Sequence, residues 1–342
     1  MTMTLPSPLD TLRSVAVAPM AGGPSSPGLV IAAARAGHFA QLAGGYKTAA
    51  ALNAQIAEVT EAGVSAFGVN LFVPNPHPID EAGYVAYWES IREHASTHDD
   101  AATMAARLED DDEWSEKLDA VILSRTPVVS FTFGLPSAVT FRRLQAAGVL
   151  TIQTVTSVDE ARQAAAAGAD ALTVQGHDAG GHSGVWNPDT FPENIALATL
   201  IERVRTVTDL PLIASGGITR RDQVLELLGA GADMVAVGTA VLRSEESGAS
   251  AVHKAALADE QYTETAFTRA FTGRPARALV NAFVASHVDA PVGYPALHHL
   301  TRTMRAKATA AGDSTLVNLW AGQGWREAKE GPIAAILDAL EP

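Results

Sequence analysis

Short apolar runs rich in β-branched residues alternate along the chain with longer Ala-rich stretches of helical character. This is the pattern of βαβ units around a parallel sheet. Eight runs are present: Val15–Ala18, Phe39–Ala43, Ala66–Phe72, Val128–Phe133, Val149–Val155, Ala171–Gln175, Leu212–Ser215 and Met234–Val237. Eight units predict an α/β fold, a (β/α)₈ TIM barrel, although an open doubly wound sheet is compatible with the same alternation. An internal echo supports the βα repeat. Ala164–Gly176 and Leu227–Thr239 share a helical stretch, a Gly-Ala-Asp turn, an apolar strand and a terminal Gly, with the first Gly placed to end the helix in a left-handed conformation.

Two segments break the alternation. Residues 74–126 are polar and helical in pattern, and are expected to form a helical insertion in the loop after the third strand. Their acidic run, EDDDEWSEK, reads as a solvated helix face, because Asp110, Asp111 and Asp112 cannot all face one point on a helix. Residues 243–320 follow the eighth strand and are expected to form a small helical cap over the barrel mouth. The barrel proper would then comprise residues 1–73 and 127–242, and residues 321–342 would supply a terminal helix returning to it. Both extra segments follow C-terminal strand ends, where active sites of this fold are built.

Composition narrows the function. The 342 residues carry a formal net charge of −14, which argues against nucleic acid or an anionic membrane as partner, since phosphate binding needs Lys and Arg to replace counterions. A small anionic ligand, which senses only local charge, stays open. There is no cysteine, so disulfides, thiolate metal sites and cysteine nucleophiles are excluded. The first ten residues lack the basic and apolar regions of a secretory signal, and no apolar run approaches the roughly 20 residues of a membrane span. A cytoplasmic protein is expected, as a monomer or homodimer.

Candidate chemistry clusters immediately after the strands. The first strand runs into Pro19-Met20-Ala21-Gly22-Gly23, the third carries Asn70, and the sixth leads into Gln175-Gly176-His177-Asp178-Ala179-Gly180-Gly181-His182. The seventh ends in Ser215-Gly216-Gly217 and the eighth in Gly238-Thr239. Gly-rich turns after the last two strands occupy the usual phosphate position of such a barrel, beside helix N-termini. His182 is the candidate proton-transfer group, because an imidazole titrates near neutrality. A solvent-exposed loop His is the competing reading. His177 is a weaker candidate that could simply cap its strand, and no third ligand accompanies the two histidines, so no metal is expected.

In these motifs the chain resembles the nitronate monooxygenase (2-nitropropane dioxygenase-like) family. The match rests on APMAGG (Ala18–Gly23), FGVNLF (Phe67–Phe72), QGHDAGGHSG (Gln175–Gly184), SGGI (Ser215–Ile218) and GTA (Gly238–Ala240). FTGRPARALVN (Phe271–Asn281), YPALHHLT (Tyr294–Thr301) and NLWAGQG (Asn318–Gly324) extend it, and the last two point to the class I branch. The resemblance implies a flavoprotein that binds FMN without covalent attachment. It would oxidise alkyl nitronates, such as propionate 3-nitronate, or nitroalkanes with O₂ to a carbonyl compound and nitrite. Carried over by position, it implies that Met20, Asn70 and Gln175 contact the flavin and that Gly181, Gly217, Gly238 and Thr239 hold its phosphate, with Gly180 and Gly216 also among the cofactor-binding residues. His182 would be the catalytic histidine and Tyr294 a cap residue at the substrate. Two departures stand out: Asp178 where the family usually has Glu, and Ala236 where many members have Gln. The alternatives are an FMN-dependent, NAD(P)H-using enoyl reductase on the same barrel and a flavin-binding protein without turnover.

Overall fold

A computed structural model describes residues 5–77, 79–95 and 108–342. Eight parallel strands form its centre: β1 (Val15–Val17), β2 (Gln41–Ala43), β3 (Gly68–Phe72), β4 (Val128–Thr132), β5 (Leu150–Val155), β6 (Ala171–Gln175), β8 (Leu212–Ser215) and β9 (Met234–Val237). Each falls inside one of the eight apolar runs. The spatial order is β1-β9-β8-β6-β5-β4-β3-β2. The Val17 N–H donates to the Phe39 carbonyl at 2.8 Å, bridging the seam between β1 and the approach to β2. The sheet is thus a nearly closed barrel.

Seven helices intervene between strands or follow them in the expected places: α1 (Pro27–Arg35), α2 (Ala49–Glu61), α4 (Trp114–Leu123), α5 (Ala138–Ala146), α6 (Val158–Ala167), α7 (Leu197–Arg205) and α8 (Arg221–Gly229). Side-chain oxygens of Ser26, Thr48, Ser137 and Ser157 cap α1, α2, α5 and α6 by accepting backbone N–H bonds, each such cap being worth about 1 kcal/mol. The repeated Gly-Ala-Asp turn works as its pattern suggests. Gly168 and Gly231 are left-handed at φ +100° and +107°, and the Asp that follows reaches the neighbouring strand. Asp170 accepts the Thr151 N–H at 2.8 Å and Asp233 the Leu212 N–H at 2.9 Å.

The main core lies between strands and helices. A smaller apolar layer of Ala16, Phe39, Val128, Ile152, Ala171, Ile213 and Met234 fills the barrel interior. Above it the interior turns polar: Ser130 donates to Gln41 at 2.6 Å, and the Asn70 amide donates to Ser130 and Thr132 at 2.8 and 3.0 Å. The final helix α12 (Ile333–Leu340) places Ile333, Ile336, Leu337 and Leu340 in the main core. Glu341 then accepts the Val15 N–H at 2.8 Å.

The two extra segments differ from their expected form. Within 74–126, α4 packs on the barrel, whereas α3 (Glu81–Ala95) buries Tyr84, Tyr87 and Ile91 against Phe271, Phe283, Leu297 and Leu300 of the C-terminal segment. Part of the insertion is therefore structurally cap. The HASTHDD stretch lies mostly outside the described residues. The acidic run is not a helix face: Asp112 and Glu113 have φ of +56° and +53°, and α4 begins only at Trp114. Asp110, Asp112 and Glu113 bond backbone and side chains, while Glu109, Asp111 and Glu116 stay exposed.

Residues 243–320 are not wholly helical. They hold α9 (Ala251–Ala256), α10 (Ala282–Ser286) and α11 (Ala296–Ala311), together with an antiparallel pair, β10 (Thr265–Thr268) and β11 (Ala276–Leu279). β11 also pairs with β7 (Gly181–His182), placing Ala276 opposite His182. Four-residue strands containing Thr and Arg carry too little apolar alternation to declare themselves.

Candidate active site

A cavity of about 450 Å³ opens at the C-terminal ends of the barrel strands, within the size range of small-molecule sites. Met20, Asn70, Gln175, Gly180, Gly181, His182, Gly216, Gly217, Gly238 and Thr239 all line it. Tyr294 does not. It lies one layer back in an aromatic cluster with Phe72 and Phe133, its ring centre 6.4 Å from that of His182. Tyr46 faces the cavity instead.

The Gly turns owe their composition to different constraints. At Gly217 (φ +73°) a Cβ would sit 2.7 Å from the Asp178 Cβ, and at Gly180 it would meet the Gly322 nitrogen at 2.3 Å. These two positions let separate chain segments close on each other. At Gly238 the nearest atom to a Cβ is the Met20 sulfur at 3.6 Å, so a side chain would fit but would project toward cavity-lining residues. α8 starts a few residues after Gly217, and a short 3₁₀ turn (Thr239–Val241) starts directly after Gly238. Their backbone N–H groups and dipoles suit an anion such as a phosphate. Thr239 Oγ1 accepts the Gly322 N–H at 2.9 Å, folding the C-terminal segment over this end. The glycine turns, with the polar side chains of Asn70 and Gln175 beside them, thus suit a phosphorylated flavin. The Gln175 side chain is fixed by accepting the Gly184 N–H at 2.7 Å and donating to the His182 carbonyl at 3.2 Å.

His182 is half-buried in the cavity wall. Its Nε2 lies 2.9 Å from the Thr272 hydroxyl, and its ring is flanked by Phe133 and Trp320 with centres 5.5 and 5.2 Å away. Burial, reinforced by the positive charges of Arg274 and Arg305, pushes its pKa down to about 3. At neutral pH it is an uncharged imidazole. His177 points elsewhere: it does not line the cavity, pairs with Asp178 at 3.2 Å and packs against Phe267.

The cap supplies what the strand ends lack. One face of α11 presents His298, Arg302, Arg305 and Thr309 to the cavity. This spacing of four, three and four residues follows the helical period, and it was present in the sequence. Arg305 is held by Thr301 at 3.1 Å, Asn318 at 3.3 Å and the His298 carbonyl at 3.0 Å, and burial lowers its pKa to about 10, leaving it charged. Arg302 at the rim is exposed. Among the described residues, Arg302 and Arg305 are the only formally charged side chains lining the cavity besides the titratable histidines, and no carboxylate does. In a chain of net charge −14, this segregation marks a site for an anion.

A parallel (β/α)₈ barrel with a ligand-sized, cationic cavity at its C-terminal face, glycine turns and a wall histidine defines a TIM-barrel enzyme for a small ligand. The nitronate monooxygenase family profile matches residues 7–342. The chain belongs to that family and is a flavin-dependent oxidoreductase of nitro compounds. It is 33% identical over 330 residues to a protein of Staphylococcus aureus (strain Newman) described as "Probable nitronate monooxygenase", covering 93% of this chain and 90% of that one. A protein of Bacillus subtilis (strain 168) with the same description is 32% identical over 321 residues, covering 93% and 92%. The crystallised nitroalkane oxidase from Streptomyces ansochromogenes superposes with a TM-score of 0.90 at 41% identity, covering 97% of this chain and 95% of that one. FabK from Thermotoga maritima shares the fold, with a TM-score of 0.74 at 23% identity over 97% and 92%. No helix among the described residues is long and apolar enough to cross a membrane.

Proposed function

We propose that this chain binds FMN in the barrel mouth and oxidises preformed alkyl nitronates, of which propionate 3-nitronate is the reference compound, with O₂ to a carbonyl compound and nitrite. The observation that carries the reading is the charge pattern of the cavity: two guanidiniums and no carboxylate, with a neutral histidine between the flavin-binding strand ends and the cap. When bound, FMN supplies the electron-accepting chemistry. Met20, Asn70, Gln175, Gly180, Gly181, Gly216, Gly217, Gly238 and Thr239 hold and orient it. Arg302 draws the anionic substrate to the rim, and Arg305 stabilises it within.

The histidine discriminates between the two protonation forms of the substrate. A base with a pKa of about 3 is poorly matched to removing a carbon-bound proton from a nitroalkane, since a general base works best with its pKa near the operating pH. With Thr272 donating to Nε2 in place of its long bond to the Arg274 carbonyl, neutral His182 carries its proton on Nδ1 and offers that N–H to a bound nitronate oxygen. Phe133 and Trp320 help to exclude water there. Tyr294 acts from behind the wall, through Phe133 and Tyr46.

The decisive measurement is nitrite release from propionate 3-nitronate by the purified flavoprotein in air, without any nicotinamide. Catalytic nitrite is the expected outcome, with a higher kcat/KM for the nitronate than for its parent nitroalkane at neutral pH. A yellow protein that releases no nitrite but consumes NAD(P)H rapidly in its absence would instead be a reductase.

A further inference from the structure

The acidic run of the insertion reaches the β2–α2 connection, the start of α2 and the cap helix α11, the first and last of which line the cavity. The Asp112 carboxylate accepts the Tyr46 N–H at 3.0 Å and pairs with the buried Lys117 at 2.7 Å. The Glu113 carboxylate accepts the N–H of Ala49, the first residue of α2, at 2.7 Å. Asp110 pairs with His299 of α11 at 2.9 Å, and its other oxygen accepts the Asp112 N–H at 2.9 Å. One short loop thus ties the β2–α2 connection to the cap helix.

What lies between these ties is part of the cavity wall. Tyr46 has a left-handed backbone at φ +66°, a conformation that a non-glycine residue keeps only when its surroundings hold it. Its ring stacks on His298 at a centroid distance of 3.9 Å and an interplanar angle of 6°, and it meets Phe72 edge-on at 5.3 Å. Both Tyr46 and His298 line the cavity, and Arg305 bonds the His298 carbonyl. Asp112 fixes one partner of the stack through its backbone. Asp110 fixes the other through the adjacent residue on α11.

We propose that Asp110 and Asp112 form a clamp that positions the Tyr46–His298 wall and so sets the length of substrate chain the cavity accepts. They are positioning residues, since neither lines the cavity. The clamp's effect on substrate choice rests on the nitronate-oxidising reading above; its effect on the wall does not.

The test compares wild type, Asp112→Ala, Asp112→Asn and Asp110→Asn as flavin-loaded proteins, by crystal structure and by nitrite release from a series of primary alkyl nitronates. In Asp112→Ala, Tyr46 is expected to leave His298. KM for the shortest nitronate should rise about tenfold with kcat within about twofold, the mark of lost binding instead of lost chemistry, and longer chains should be less affected. Asp112→Asn keeps an acceptor for the Tyr46 N–H and should restore the stack and most of the KM. Asp110→Asn, the milder change, should shift the chain-length profile in the same direction. A stack that persists in both the Asp112→Ala and Asp110→Asn structures would overturn the clamp, as would a displaced stack with an unchanged profile. If Asp112→Ala does not fold, Asp110→Asn alone decides by the same two readouts. Wild-type protein releasing no nitrite from any member would instead refute the proposed function, while the structures still decide whether the carboxylates position the wall.

Discussion

At the residue scale, His182 and the two arginines divide the work of the cavity and can be separated. A neutral His182 donates a hydrogen bond, and only a nitroalkane substrate needs it as a base. His182→Asn, which retains a donor but no base, should lower nitroalkane turnover by about 10²-fold or more. It should lower nitronate turnover by much less and leave the flavin content of the purified protein unchanged. Loss of flavin in that variant would contradict the placement of His182 on the substrate side. Because its pKa is pushed down to about 3, kcat/KM should show no enzyme ionisation near pH 6.5, where an ordinary histidine titrates. An inflection there that disappears in His182→Asn would overturn the neutral assignment. Arg302 acts differently. It is exposed at the rim, so Arg302→Gln should raise KM for an anionic nitronate several-fold, on the order of 1 kcal/mol or less for one screened charge. Stopped-flow binding should show the difference shrinking as salt is added. His182 and the Gly turns were legible in the sequence because they directly follow strands. Tyr46 also follows a strand and its glycines, and the end-of-strand rule applied to it equally. Arg302 and Arg305 were hidden for another reason, since only the docking of α11 over the mouth turns their helical spacing into a cavity wall.

At the element scale, the turn after β8 carries the clearest backbone constraint. Gly217 combines φ +73° with an opposing Asp178 Cβ 2.7 Å from where its own Cβ would lie. Gly217→Ala should cost about 1–3 kcal/mol through the left-handed backbone, with displacement of the Asp178 segment added. The expected result is a lower Tm and a lower flavin-to-protein ratio, both accessible by thermal melting and absorbance. Normal stability with full flavin would show that this turn is not held against its neighbour. The eight barrel strands could be read because they are buried on both faces, which makes them short continuous apolar runs. β10 is only half-buried and carries Thr265 and Thr268, while β11, though buried, interrupts its run with Arg277, so neither had that signature. The acidic run misled for a more local reason. Asp110 and Asp111 accept the N–H of the residue two ahead, the Asx geometry that competes with helix, and a count of charges cannot distinguish that from a solvated face.

At the scale of the whole molecule, the cavity stores an acid sensitivity. His182, His253 and His298 all line it. Burial leads the causes that push His182 to about 3, His253 to about 4 and His298 well below its ordinary value. In the unfolded chain each takes up a proton near pH 6.5. Between that pH and the depressed native values, the unfolded state therefore binds more protons, and stability falls as pH falls, by about 1.4 kcal/mol per pH unit for each net proton. Two carboxyls oppose the trend. Burial raises Asp112 to about 6 and raises Glu160 as well, so the native state already holds protons there that the unfolded state has yet to bind. The effect of Asp112 begins near pH 6, and the two together offset part of three histidines. The net prediction is that the urea midpoint of the flavin-loaded protein declines between about pH 7 and pH 5. Replacing His253, whose Nε2 lies 2.9 Å from the Trp320 carbonyl, by Gln keeps a donor for that carbonyl and removes one titration. His253→Gln should therefore flatten the decline by up to about 1.4 kcal/mol per pH unit without abolishing it. A midpoint that is constant or rises on acidification would mean that the cavity histidines are solvated well enough to charge in the native state, and neutral His182 would fall with them.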